Sequence, residues 1–490
     1  MPLTSLRHSR LAYQCGLLAA AAGLLLTSGS ARATGFLVAR FGGEHGTPMT
    51  DDPTALYYNP AGIAFAHGTN VYVEGIYALR SRTYDRDVNG IDHPNPTAGM
   101  SGTPNTLANS GSGHLQNVLI SPFAGITSDL GIPNLGVGLS VSVPFGGQQK
   151  WDQDNQFAGN TMYPGAVDGA QRWSDIEGQI QSIYFTVGGA YKLPGNLAVG
   201  LSVNVVSSST LDLRATDAGG VDDLVDGNGN VVEGRGLLDT SAISVSMGAG
   251  VVWAPTPEWR IGLSYQSQPN FGTIVEDGQL SKALGANSPS FTSDVEHRFS
   301  LPDVIRLGAS FRPTPKLELR LWGDFERWSV FKLECILDKS RPGRDCSIND
   351  RGVPTDPMTR VINNIPRFWQ DAIELRASGS YFLNPDIELE LGAGFDGNAV
   401  PDAALENSLP DENKVNFTVG ARFTNLLTQG LSLHVNFSAF VAPDRTIAPR
   451  TRNADGSLQS PFDFPTRVPD SSGTYSTFIA VLTLGAGYAF

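Results

Sequence analysis

The feature that most constrains this chain is the rhythm of its connections. From residue 69 onward, apolar and polar residues alternate at period two, as they do in strands with one apolar and one polar face. Leu317, Leu319, Leu321 and Phe325 alternate with Glu318, Arg320, Asp324 and Glu326, and Ile387, Leu389, Leu391 and Phe395 alternate with Glu388, Glu390, Gly392 and Asp396. The segments around Val415 to Phe423 and Leu431 to Phe437 repeat the pattern. The reading gives fourteen strands between residues 69 and 490, and every second connection is a tight turn, such as Leu193-Pro194-Gly195, Pro255-Thr256-Pro257 or Asn384-Pro385. The intervening connections, such as 85–114, 148–174, 215–236, 332–368 and 444–473, are long and rich in Gly, Asp, Asn and Pro. Such alternation puts all short turns at one end and all long loops at the other. An even number of strands on that plan predicts an all-β fold, a membrane-spanning antiparallel β-barrel of the bacterial outer-membrane type. A soluble sandwich would have shorter strands joined by turns of similar length.

Composition agrees. After the first thirty or so residues no stretch approaches the roughly 18 consecutive apolar residues of a membrane helix. A barrel averages its two faces to a neutral hydropathy, and the mean hydropathy is -0.11. With 34 basic and 48 acidic residues the net charge is -14, and there is no Lys/Arg-rich run. That distribution excludes a nucleic-acid partner, whose phosphates need clustered cations.

The N-terminus reads as an export signal, residues 1–33. Arg7, His8 and Arg10 precede a Leu/Ala/Gly run from Cys15 to Leu26, which ends in the small-residue site Ala31-Arg32-Ala33. The chain remaining after cleavage keeps Cys335 and Cys346, which in an oxidising compartment can close a disulfide, or else stay as two free thiols. Closing so short a loop restricts the unfolded chain by about 3 kcal/mol or less. The last strand carries Phe478, Leu482, Leu484, Tyr488 and Phe490 on one face. A terminal Phe with an aromatic two residues earlier looks like the signal read by barrel-assembly machinery, the expected partner during biogenesis.

Enzyme motifs fail their context. Gly392-Ala393-Gly394-Phe395-Asp396-Gly397 has dinucleotide-loop spacing but lies in an amphipathic strand with no helix after it. Asp226, Asn228 and Asn230 imitate a calcium loop, yet Val231 and Leu237 stand where Gly and Glu are required. There is no nucleophile elbow, and the seven His lack metal-ligand spacing. No enzyme activity, cofactor or metal is expected.

Between signal and barrel, residues 34–68 are not strand-like. They contain Asp51-Asp52-Pro53-Thr54-Ala55-Leu56-Tyr57-Tyr58-Asn59-Pro60-Ala61-Gly62-Ile63. This segment resembles the N-terminal hatch of the long-chain fatty-acid transporter (FadL) family of outer-membrane proteins, including its aromatic-hydrocarbon branch. Asn59, Pro60, Ala61 and Gly62 carry the match. Leu301-Pro302-Asp303, Trp328-Ser329, Trp369-Gln370-Asp371, Pro401-Asp402 and Leu409-Pro410-Asp411 also look familial, so the likeness extends from hatch to final strand.

The resemblance implies a domain plan of hatch (34–68) plugging the lumen of a barrel (69–490). It also implies passive uptake of hydrophobic small molecules, long-chain fatty acids first among them, by a monomer embedded in outer-membrane lipid. In the family, an inward kink of the third strand opens a lateral exit. Here that strand reads Val141-Ser142-Val143-Pro144-Phe145-Gly146-Gly147, and Pro144, Phe145, Gly146 and Gly147 are the candidate opening, because Pro removes a ladder donor and Gly marks a bulge. Asn59 and Pro60 are expected to fix the hatch turn beside that break. Phe36, Trp151, Phe157 and Tyr163 are candidates for the ligand path. Arg306, Arg312, Glu318, Arg320, Glu374, Arg376, Glu388 and Arg422 are expected to line a polar lumen. The competing readings are a structural or adhesive surface barrel and a water-filled porin.

Overall fold

The computed structural model describes residues 40–91, 104–217, 222–226, 228–285, 290–350, 355, 359–449 and 469–490. The signal segment 1–33, Phe36 and the rest of the chain before residue 40 lie outside the described residues. The described strands form one antiparallel sheet that closes on itself. In chain order they are β1 (Thr69–Arg86), β2 (Gly111–Ser128), β3 (Leu135–Lys150), β4 (Glu177–Leu193), β5 (Leu197–Thr216) and β6 (Gly234–Thr256). Next come β7 (Trp259–Gln266, resuming as Thr273–Ala283), β8 (Phe291–Ser300 and Val304–Thr314), β9 (Leu317–Glu326 and Leu333–Asp338) and β10 (Val361–Pro366 and Ala372–Asn384). The last four are β11 (Ile387–Asp396), β12 (Lys414–Thr424), β13 (Leu431–Val441 with Arg445–Ile447) and β14 (Gly473–Ala489). Each pairs with its sequence neighbour, and β14 pairs with β1 from Asn70 opposite Ala489 to Arg86 opposite Gly473. Among the described residues, no helix is long and apolar enough to cross a membrane.

Side-chain direction follows the period-two pattern. On β11, Leu389, Leu391 and Phe395 point out and are exposed, while Glu388, Glu390 and Asp396 point in and are buried. On β13, Leu433, Val435 and Phe437 face out and His434 and Asn436 face in. Of the expected lumen residues, Arg306, Arg320, Arg376 and Glu388 are buried inside, whereas Arg312 is exposed at the turn end beside Pro315.

Four strands depart from their expected continuity. β7, β8, β9 and β10 are each interrupted, at 267–272, 301–303, 327–332 and 367–371. Three of these breaks coincide with the Leu301-Pro302-Asp303, Trp328 and Trp369 segments. There the backbone leaves the ladder, and side-chain pairs such as Arg327 Nε to Asp303 Oδ1 (2.7 Å) take its place. Leu301, Trp328, Phe331 and Trp369 turn inward at the breaks and meet Phe145, Trp151 and Tyr184 in one buried cluster in the loop-side half of the lumen. The seventh strand thus resumes after its break and runs on to Ala283. Cys335, on the outer piece of β9, is disulfide-bonded to Cys346, with 5.9 Å between Cα atoms.

The hatch fills the turn-side half of the lumen. It is a short helix (Ala55–Tyr58) followed by a 3-10 turn (Pro60–Phe65) lying on the inner faces of β3, β4, β5 and β6. The wall accommodates it by having glycine where the backbones meet. A Cβ on Gly200 would lie 2.3 Å from the Ala61 nitrogen, and one on Gly136 would lie 2.5 Å from the Ile63 carbonyl oxygen. Gly392, in the false dinucleotide motif, is an inner-face glycine whose Cβ would meet the hatch carboxylate of Glu44, while a Cβ on Gly394 would meet the wall side chains of Arg376 and Asn416. Replacing Gly200 by Leu should leave the barrel folded, as read by retained heat-modifiable migration on gels. It should displace the hatch at a cost of about 1–3 kcal/mol, seen as new ion conductance in planar bilayers.

Candidate functional site

The Asn59-Pro60-Ala61-Gly62 motif is a capped turn locked to the wall. Asn59 is extended, and its Oδ1 accepts from the Ala61 N–H at 3.1 Å. Pro60 occupies the first turn position, where a missing N–H costs nothing. Ala61 is small enough to sit against Gly200, and a Cβ on Gly62 would collide with the Thr50 carbonyl oxygen. The Asn59 amide then donates to the Pro48 carbonyl (2.8 Å) and to Val251 O on β6 (3.0 Å), with Leu263 O on β7 at 3.4 Å. The expected place beside the third-strand break is thus corrected. Asn59 and Pro60 are held on β5, β6 and β7, because Gly200 and Gly250 admit the closest approach there, and a Cβ on Gly250 would clash with Asn59 Oδ1. Gly136 and Gly138, where β3 meets Ile63 and Leu56 of the hatch, lie on the turn side of the break.

Charge pairs anchor the rest of the hatch, as buried ions require. Both carboxylate oxygens of Glu74 on β1 accept from Gly42 N–H (2.9 and 3.2 Å), and His434 Nε2 lies 3.0 Å from Glu74 Oε2. Arg260 pairs with Asp51 at 2.8 Å, and the Arg306 guanidinium lies over the Tyr57 ring at 4.7 Å. His45 Nε2 lies 2.8 Å from Glu388 Oε1 and 3.3 Å from Glu390 Oε1. Burial and the nearby Arg320 and Arg422 oppose charge on this imidazole, but the Glu388 carboxylate and its hydrogen bond outweigh them and raise its pKa.

At β3 the ladders part. Pairing with β2 runs from Val137 opposite Ser128 to Ser142 opposite Phe123 and goes no further. On the other side, pairing with β4 continues to Lys150 across a bulge in which Val143 and Pro144 face the single residue Ile183. Beyond Val141 the in-out alternation is lost, and every residue from Ser142 to Gln149 is buried. The strand has therefore left the lipid-facing wall and turned inward. Its freed carbonyls find side chains, with Ser121 Oγ donating to Val143 O (2.9 Å) and Asn117 Nδ2 to Gln148 O (2.8 Å).

A narrow, partly open cavity adjoins the inturned segment. Phe145, Gly146 and Gly147 form one side of it, and Ser408 and Leu409 from the loop after β11 form another. Trp151 donates from Nε1 to Asp175 Oδ2 in the same buried cluster as Phe145. Phe157 and Tyr163 belong to a separate loop cluster with Ala108, Trp173 and Leu224. The structure thus brings Phe145 and Trp151 together and sets Phe157 and Tyr163 apart. Gln149, Asp175 and Asp212 of the cavity escaped the sequence reading, since polar residues at strand-loop junctions carry no local signature.

The fold has counterparts among known proteins. The family model described as outer membrane protein transport protein (OMPP1/FadL/TodX) matches residues 15–469. The chain belongs to this family. Curated relatives include outer membrane protein P1 of Haemophilus influenzae, 23% identical over 459 residues, covering 85% of this chain and 88% of that protein. Another is the putative outer membrane protein NMB0088 of Neisseria meningitidis, 22% identical over 396 residues, covering 76% and 77%. Among solved structures, a Pseudomonas aeruginosa FadL homologue superposes with a TM-score of 0.71 at 17% identity, covering 94% of this chain and 99% of that one. The Ralstonia pickettii toluene transporter TbuX gives 0.56 at 15% identity, covering 89% and 94%. The protein is therefore a FadL-type barrel of the bacterial outer membrane, in a family of transport proteins.

Two outcomes follow for the FadL-type hatch. Asn59→Ala strands the Pro48 and Val251 carbonyls, and should weaken hatch docking by about 1–3 kcal/mol, read as faster amide exchange over residues 48–63. Because the His45 pKa is raised on docking, its contribution is complete below its ordinary value near 6.5 and is lost as pH rises through the raised one. Amide protection of residues 41–50 should therefore fall as pH rises above the ordinary imidazole value near 6.5, and His45→Gln should flatten that dependence.

Proposed function

We propose that this protein takes up hydrophobic compounds passively, long-chain fatty acids and aromatic hydrocarbons among them. The solute enters from the loop side and leaves sideways into the bilayer between β2 and β3. The observation that carries the reading is the end of the β2–β3 ladder at Phe123 and Ser142, next to a cavity walled by Phe145 and Gly146. An apolar solute gains nothing from a path down the polar, hatch-filled lumen, where Glu388, Glu390, Arg320 and Arg376 are buried. A gap opening toward lipid keeps it out of water throughout. The family match to transport proteins and the likeness to the toluene transporter TbuX support the same reading. Pro144, Phe145, Gly146 and Gly147 form the exit, the hatch motif closes the route to the periplasm, and Phe36 is assigned to the ligand path ahead of the described hatch. Movement down a gradient needs no nucleotide, and outer-membrane lipid receives the solute.

The bulge supplies the test. Deleting Pro144 leaves Val143 alone opposite Ile183 and restores the register that would let β3 continue along β2. The deleted protein should assemble normally in the outer membrane yet lose at least about tenfold of protein-dependent uptake of radiolabelled oleate or toluene. Unchanged uptake would sink the lateral route. Ion currents through the intact protein would point instead to a water-filled pore.

A further inference from the structure

The cavity beside the break has apolar walls, among them Phe145, Ile180, Leu211, Leu301 and Leu409, but its polar groups are unevenly used. Its two cations are committed. Arg367 pairs with Glu334 at 2.5 Å and Glu406 at 2.6 Å, and Arg214 pairs with Asp212 at 3.4 Å. Several acceptor oxygens are not. The Gln149 amide donates to the Asn407 and Ser408 carbonyls at 2.8 and 2.6 Å, which fixes its orientation and leaves Oε1 buried without a partner. Asp175 accepts from Trp151 through Oδ2, and its Oδ1 is buried and unpartnered, as is Oδ1 of Asp212. Gly178 keeps Asp175 Oδ1 uncovered, since a Cβ there would lie 2.9 Å away. Three carboxyls (Asp175, Asp212, Glu334) and two guanidiniums line the cavity.

Resting on the transport reading above, we infer that this cavity selects apolar molecules bearing a hydroxyl head, such as phenols and long-chain alcohols. It prefers them both to bare hydrocarbons and to ionised carboxylates. A hydroxyl donates to Gln149 Oε1 or Asp175 Oδ1 and fills a valence that is otherwise desolvated and unmade. A hydrocarbon leaves those oxygens orphaned, and sites built to pair a hydroxyl discriminate strongly against analogues lacking it. A carboxylate brings only acceptors to Gln149 Oε1 and Asp212 Oδ1, and the nearby guanidiniums are already paired. Burial, then the charge of Asp212, pushes the Asp175 carboxyl well above the usual range. In its neutral form the acid still pairs with a hydroxyl, which can donate or accept.

The test is equilibrium binding of four probes at about pH 8 to the full-length protein in lipid nanodiscs, with empty nanodiscs subtracted. The probes are p-cresol against toluene and 1-decanol against decanoate. The hydroxyl member of each pair should bind about tenfold or more tightly. In Asp175→Asn, which turns an N–H toward the cavity, both ratios should collapse toward one. Gly178→Ala, which covers Oδ1 without changing charge, should reduce them as well. Toluene binding as tightly as p-cresol, decanoate binding more tightly than decanol, or ratios unmoved by both substitutions would overturn the inference while leaving transport standing. Failure of all four probes to bind would overturn the transport reading with it.

Discussion

Everything in this molecule depends on satisfying backbone hydrogen bonds in a medium that offers none. Within a bilayer an unpaired N–H or C=O has no water to turn to, so a spanning sheet has to close. The pairing of β14 with β1 over seventeen residue pairs accomplishes that closure. The strand faces then sort themselves, with Leu, Val and Phe toward lipid and Glu, Arg, Asn and Ser toward the lumen. The ion pairs inside follow from this sorting, because the polar faces confine charges in a space that the hatch largely fills.

Against that constraint, the parting of β2 and β3 is costly and is visibly compensated. The bulge at Val143-Pro144 turns β3 inward, proline removes one donor that would otherwise need a partner, and Ser121, Asn117 and Arg80 reach across to the released carbonyls of Val143 and Gln148. At the interruptions of β7 to β10, Gln268 donates to the Leu301 carbonyl, Asp371 accepts from the Ser329 N–H, and Arg327 pairs with Asp303. The interruptions turn aromatic side chains inward toward the segment that β3 contributes. Break and aromatic cluster are parts of one arrangement, since Phe145 packs against Tyr184 and Trp328.

The barrel was legible because its cause is local. Period two and the short-long rhythm are properties of neighbouring residues, and they located all fourteen strands. The hatch motif was legible because Asn59, Pro60 and Gly62 serve a single turn. What escaped was long-range. That Asn59 would grip Val251 and Leu263, some two hundred residues away, depends on Gly200 and Gly250 facing inward at one level, and a lone glycine in a strand does not announce what approaches it. The interruptions at Leu301-Pro302-Asp303 and Trp328 carry no local mark, because their compensation comes from other strands. The cavity acceptors Gln149 and Asp175 are ordinary polar residues until the loop after β11 covers them.

The plug inside a closed wall also restricts the order in which this chain can be assembled. The hatch joins β1 at Gly68, whose N–H donates to Asp129 at the β2–β3 turn, and Phe490 N–H donates to Thr69 O at the same rim. One mouth is thus tied to both ends of the sheet, while the other half of the lumen is occupied by the aromatic cluster. A hatch arriving late would have to thread one of these passages. A hatch that lies on β3 to β7 while the sheet is still open meets no such obstacle. The clamp on Gly42 then comes last, since Glu74 stands on the first strand and His434 on the thirteenth, and they face each other only once the seam has shut.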